Sequence, residues 1–275
     1  MTVDFEDAVS RGWRFARSIE RLFVLFLFYL VAALLILLPI IFIYRNITLG
    51  AFELVNLLQF FVWLFVAIAI SALLVLYSNL AFTHNYANQK SLGRSFGYAK
   101  KKYLRFIVAM AIVAIIQFIA TFPFSMVEFI TSSTLAIVLA NSLNFIVSII
   151  LALVFFFVQQ EIAVKGSRIS KSMSNSYGIF KRDWFQVFLA LLISAILGLV
   201  IFIIFAIPLI VVAFATLWPA ISAGQVAQLV SAMLANLPLF ALTGLILLVG
   251  IALATLLTIG IKTDIYLQLK KRKVK

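Results

Sequence analysis

The chain has 275 residues, 65% hydrophobic and only 11% charged, whereas an ordinary soluble domain is about 25% charged. Its 22 Lys and Arg outweigh 9 Asp and Glu, and a single His with no Cys removes disulfides, thiol chemistry and the usual zinc ligand sets. This composition excludes a soluble globular protein and predicts an all-α polytopic membrane protein.

Crossing a hydrocarbon core about 30 Å thick takes roughly 20 apolar residues in a helix. In chain order, uncharged runs at 22–44, 54–83, 106–127 and 129–160 supply four spans. The first run follows the acidic residues Asp4, Glu6, Asp7 and Glu20 and is too long for a signal-peptide core, so it reads as a retained span. The last uncharged run, 184–261, is 78 residues long and must fold back on itself. Trp218-Pro219 and Asn236-Leu237-Pro238 are its breakers, which predicts a fifth span from 184 to about 212 and a sixth from about 238 to 261. The stretch 219–236 between them, with Gln225 and Gln228, reads as an interfacial helix or a re-entrant segment.

The basic residues are distributed unevenly. Of the 22 Lys and Arg, 21 fall at the ends and loops of one side and Arg45 alone on the other. The positive-inside rule then predicts a protein of the cytoplasmic membrane with both termini cytoplasmic, and with Arg45, Glu128 and Gln225 facing out.

Three stretches share a Ser-x-Gly pattern followed by basic residues and a span with Pro toward its far end: Ser10-Arg11-Gly12, Ser95-Phe96-Gly97 and Ser176-Tyr177-Gly178. The glycines are 85 and 81 residues apart, and Pro39, Pro123 and Pro208 follow them by 27, 26 and 30 residues. The pattern predicts a single membrane domain built as three repeats, 4–87, 88–168 and 169–266, with a basic tail at 267–275. Each repeat would be a cytoplasmic amphipathic helix followed by a transmembrane hairpin.

In the second and third repeats Leu92, Phe96, Ala99, Tyr103 and Met173, Tyr177, Phe180, Trp184 hold the same helical spacing and predict one apolar stripe each. Beside the stripes stand Arg94, Lys100, Lys101, Lys102 and Arg105, then Lys171, Lys181 and Arg182. Aromatics flanked by Lys and Arg settle at headgroup depth and attract anionic lipid, so these eight are the candidate headgroup ligands. The same charges also serve to set topology. The first repeat is out of phase, with a stripe of Phe5, Ala8, Val9, Gly12, Trp13, Ala16 and Ile19 and nearly balanced flanking charge.

Inside the spans there is no Asp, Glu, Lys, Arg or His, which argues against pumps and proton-coupled carriers. No carboxylate pair, Ser-His-Asp set or phosphate-cradling loop can be assembled, so no enzyme, catalytic residue, metal or cofactor is expected. His84 reads as a solvated or headgroup-bonding interfacial residue, Glu53 and Glu128 as loop charges, and Glu161, Lys262 and Asp264 as snorkelling end groups. The polarity left within the spans, Gln59, Ser71, Asn141, Asn144, Ser148 and Thr258, lies on even-numbered spans beside small residues. It fits ordinary helix packing or, alternatively, a solute path.

With its three Ser-x-Gly starts (Ser10, Gly12, Ser95, Gly97, Ser176, Gly178), basic loops and three prolines, the chain resembles an uncharacterised group of prokaryotic six-span proteins. That group is related to the membrane domain of some glycerophosphodiester phosphodiesterases. The resemblance implies a membrane module without the hydrolase. The expected function is therefore non-catalytic, lipid-binding or scaffolding through the basic helices, with a facilitator or channel for a small or amphiphilic solute as the alternative. The expected partners are anionic membrane lipids, with a protein partner or a second copy of the chain as further occupants, and no nucleic acid.

Overall fold

The computed structural model describes residues 3–48, 54–222, 224 and 228–271. Glu53, Gln225 and the basic residues beyond 271 lie outside them. The described chain is all-α, with nine helices: α1 (Phe5–Ala16), α2 (Ile19–Thr48), α3 (Leu54–Asn88), α4 (Leu92–Ile130), α5 (Thr134–Val154), α6 (Val158–Lys165), α7 (Ile169–Ser222), α8 (Gln228–Ala235) and α9 (Leu237–Lys271). Six helical segments are long and apolar enough to cross a membrane: Ile19–Asn46, Leu54–Asn88, Leu92–Ile130, Thr134–Lys165, Ile169–Pro219 and Leu237–Lys271. They match the six spans read from the sequence.

The boundaries differ from the sequence reading in instructive ways. Residues 92–105 do not form a separate helix, because no breaker stands between them and the span, and α4 runs unbroken for 39 residues. At about 1.5 Å per residue that is roughly 58 Å, well beyond a hydrocarbon core. In α7 the corresponding junction is marked only by non-helical backbone at Asp183. Trp218-Pro219 does not end α7 either. Pro219 lies inside the helix, as does Pro208, and the helix stops only after Ser222. A proline removes one donor and bends a helix without being obliged to end it. Asn236 and Pro238 do break the chain, between α8 and α9, where Pro in a first helical turn loses no bond. Glu128 belongs to the last turn of α4 rather than to a loop, and Thr131, Ser132 and Ser133 make the turn into α5.

The fourth span carries a break that the sequence reading did not anticipate. Between α5 and α6, Phe155 and Phe157 leave helical geometry, and the Ser176 hydroxyl enters the gap. Ser176 Oγ donates to Val154 O at 2.7 Å and accepts from Phe157 N–H at 3.2 Å, replacing bonds the helix has lost.

By packing, the described chain divides into two compact units. The first contains 3–9, 79–193 and 261–271, and the second contains 10–78 and 194–260.

Candidate functional site

The first unit gathers the C-terminal ends of α3, α6 and α9 with the N-terminal parts of α4 and α7. Its centre is Glu161, 1% exposed. Tyr266 donates to Glu161 Oε1 at 2.7 Å, while Ser167 and Asn175 donate to Oε2 at 3.1 and 2.9 Å. Lys165, one turn on, brings its ammonium to 3.6 Å of Oε1, and Lys270 donates to the Tyr266 hydroxyl at 3.0 Å. Three donors and a cation compensate the desolvation of this carboxylate. A helix stop aligns them: Gly166, at φ +64°, closes α6 with its N–H bonded to Ile162 O, and turns the chain so that Ser167 and α7 fold back on Glu161.

A second buried carboxylate, Asp264, accepts from Tyr86 at 3.1 Å and from Gln268 at 2.8 Å. Gln268 in turn pairs with the backbone N–H and C=O of Asp4 at 2.9 and 3.1 Å. Gln159 joins α6 to α3 by donating to Asn79 O at 3.2 Å and Thr83 Oγ1 at 2.8 Å. His84 is buried, stacked on Tyr98 with ring centroids 3.9 Å apart, and its Nδ1 lies 3.3 Å from Ser95 Oγ. Lys262, half-buried, rests its ammonium 4.6 Å from the centre of the Phe156 ring.

These placements correct the reading of four residues. Glu161 and Asp264 are not snorkelling end groups, and His84 is not solvated: each is buried among hydrogen-bonding partners. Lys262 sits against an aromatic ring. The sequence does signal this, since Ser78-Asn79 and Gln159-Gln160 place polar pairs at the ends of two apolar runs, but nothing in one sequence says that such ends pack together.

The candidate headgroup residues fall into two groups. Arg94, Lys100, Lys101, Lys171, Lys181 and Arg182 are exposed, whereas Lys102 and Arg105 are half-buried. Arg105 donates to Gly166 O at 2.8 Å, and Arg182 donates to Leu269 O at 2.7 Å and meets Asp183 at 2.6 Å. Both guanidinium groups thus tie α4 and α7 to the C-terminal ends of α6 and α9.

The buried face of these helices is rotated from the predicted stripes, of whose eight residues Ala99 alone is buried. Ser95 and Ala99 are fully buried on α4, and Ser172, Ser176 and Ile179 are buried on α7, while Tyr177 and Trp184 stand 51% and 58% exposed. Small residues let the helices approach closely, and the aromatics are left at the rim. On α1, Ala8, Gly12, Phe15 and Ala16 are buried, but Trp13 is exposed, as is Ile19 at the start of α2.

The six candidate interior polar residues divide between the two units. In the second unit Gln59 is exposed, Ser71 donates to Ala32 O at 3.1 Å, and Thr258 faces Gly198. In the first unit Asn141 donates to Glu128 at 2.9 Å and Asn144 to Ser125 at 3.4 Å, bonding α5 to α4, and Ser148 is half-buried. A groove of about 250 Å³ between α2 and α3 has only apolar walls, among them Leu35, Pro39, Phe42, Trp63 and Ile70.

Among the described residues no group of three His, Asp or Glu is placed to hold a metal ion. No family model matches this chain, and neither does any curated protein or solved structure.

Proposed function

We propose that this is a non-catalytic integral membrane protein that binds anionic lipid headgroups through the basic faces of α4 and α7. The observation that carries the reading is the two-sided character of these helix starts. Arg94, Lys100 and Lys101 stand exposed on the face opposite Ser95 and Ala99, and Lys171 and Lys181 stand exposed opposite Ser172 and Ser176. One face is fixed to protein, so the other is held outward with its charge. Tyr177 and Trp184, exposed beside Lys181, are the side chains that favour the headgroup layer.

In this reading both termini and the basic helices are cytoplasmic, and the chain is a threefold repeat of amphipathic helix and hairpin. Supporting the repeat, Ser95 and Ser176 stand two residues before Gly97 and Gly178 and both are buried. The first copy departs from it, with Ser10 exposed and Gly12 buried. The relation to the membrane domain of glycerophosphodiester phosphodiesterases belongs to the same proposal, as a membrane module lacking the hydrolase.

The test is the triple change Arg94→Gln, Lys100→Gln, Lys101→Gln, which leaves Lys102 and Arg105 in place against Gly166. At up to about 1 kcal/mol per basic residue near an anionic surface, affinity for phosphatidylglycerol-type lipid should fall about tenfold or more, with a shallower salt dependence. Native mass spectrometry of retained lipid reads the change. Undiminished anionic lipid on a folded triple variant would reduce the charges to topological anchors.

A further inference from the structure

The groove between α2 and α3, within the second unit, arises from a contrast in side-chain size. Its floor is Pro39 on α2 and Ala67 on α3, both buried, while Leu38 and Trp63 rise beside them, 62% and 60% exposed. A space with apolar walls holds no water, because water needs polar partners. The groove opens on the side of two spans, where the surrounding medium is hydrocarbon.

One end of the groove is polar. Seven residues make two helical turns and return to the same face within about 20°. Arg45 and Asn46 therefore stand two turns beyond Leu38 and Pro39 on α2, and Gln59 stands two turns before Val66 on α3. Only residues 49–53 separate the two helices, so α3 returns alongside α2 and Gln59 lies at the same end as Arg45. Arg45 and Gln59 are exposed and Asn46 is half-buried. Arg45 is also the one basic residue between Arg21 and Lys90. From Leu35, at the apolar end, to Asn46 is eleven residues, about 16 Å, the depth of one leaflet of a core about 30 Å thick.

We propose that this groove is a binding site for one anionic phospholipid, with an acyl chain along Pro39 and Ala67 and its phosphate at Arg45, Asn46 and Gln59. The two ends select the two parts of the molecule. A guanidinium presents forked donors that match phosphate oxygens, and side-chain amides add further N–H donors. The apolar part gives nothing to a polar solute, and at about 250 Å³ it lies below the roughly 300–1,000 Å³ of ordinary small-molecule pockets, which suits a single chain. The site is separate from the basic faces of α4 and α7, which belong to other helices and carry no apolar groove in this assignment. It also gives Gln59 and the isolated Arg45 a common role, as the headgroup end of a lipid seat.

Trp63 is a probe built into the wall. Trp13→Phe, Trp184→Phe and Trp218→Phe leave it as the sole tryptophan. This protein, in phosphatidylcholine vesicles with increasing phosphatidylglycerol brominated on its acyl chains, should be half quenched at a mole fraction about fivefold lower than its Arg45→Gln variant. Equal curves overturn the proposal. Ala67→Leu fills the floor and should abolish the preference as Arg45→Gln does. Val66→Phe, at an exposed wall position, narrows the same groove and repeats that test without disturbing a buried residue. If both filled variants keep the preference, surface charge alone attracts the lipid and the groove is no site. Quenching that weakens as the protein-to-lipid ratio rises places a second copy of the chain over the groove and also overturns the assignment. The change of Arg94, Lys100 and Lys101 to Gln should leave the Trp63 curve in place, so this site and the one on α4 and α7 can fail separately. A Trp63 curve that shifts with that change refutes a separate site.

Discussion

The two compact units solve the same problem, holding long helices together, with different chemistry. Of the fifteen buried polar or charged residues described, eleven belong to the first unit, including Glu161, Asp264 and His84, and only Ser71, Ser78, Ser194 and Thr243 to the second. The second unit relies on close approach. Gly250 on α9 lies directly under Phe205 of α7, Gly198 faces Thr258, and the Tyr29 and Thr255 hydroxyls meet across helices at 2.8 Å. Inside a bilayer lipid tails are as apolar as leucine, so burial gives helices little reason to meet and shape must do it. At helix ends near water the alternative for a polar group is hydration, and a dense network specifies one arrangement rather than merely adding attraction.

The largest test of this contrast is removal of Glu161. Glu161→Leu leaves Tyr266, Ser167 and Asn175 without their shared acceptor and Lys165 without its partner. The expected loss is about 3–5 kcal/mol, seen as a lowered midpoint in SDS titration from bicelles. Ser71→Ala, which deletes one hydrogen bond in the second unit, should cost only about 0.6 kcal/mol. Equal losses would end the distinction between a network and isolated bonds.

Next comes the glycine test. A Cβ on Gly250 would collide with the Phe205 side chain, so Gly250→Ala should cost about 1–3 kcal/mol by overpacking. Gly97 and Gly178 have nothing within 4 Å of a Cβ, so alanine there should stabilise by up to about 1 kcal/mol through helix propensity. Opposite signs in thermal melts support the contrast, and a destabilising Gly97→Ala would break it.

The surroundings of Gly97 and Gly178 also bear on what could be read from the chain alone. Uncharged run lengths mark the six spans well, because the bilayer imposes length and apolarity on each helix separately. The Ser-x-Gly pattern was legible, but its weight falls on the serine rather than the glycine: Ser95 and Ser176 are buried and hydrogen-bonded, whereas Gly97 and Gly178 face open space. Glu161 and Tyr266 are 105 residues apart, and their bond depends on which helix ends meet. A polar residue at the end of an apolar run looks the same whether it meets water, a headgroup or another helix. The break at Phe155–Phe157 escaped notice for a related reason, since what stabilises it is a hydroxyl from α7.

The smallest effect concerns how the first unit ends its helices. α6 stops at Gly166 with φ +64°, a conformation glycine adopts freely, and a Cβ there would also press on the Tyr98 hydroxyl at 3.1 Å. α3 stops at Gln89 with φ +50°, the one non-glycine residue with positive φ among those described. A left-handed backbone costs a side-chain-bearing residue roughly 1–2 kcal/mol. Neighbouring bonds hold it there: Asn85 donates to Lys90 O and Asn88 to His84 O. The Gln89 side chain is exposed, so Gln89→Gly relieves the strain without removing packing. Glycine also gives the unfolded chain more freedom, which returns about 0.4–1 kcal/mol. The net expectation is a stabilisation of about 0.5 kcal/mol, a rise of about 1–2 °C in the unfolding midpoint. Because the two stops differ in residue and share a geometry, Gly166→Ala should move the midpoint the other way. A fall with Gln89→Gly would mean that the glutamine side chain itself contributes to the stop.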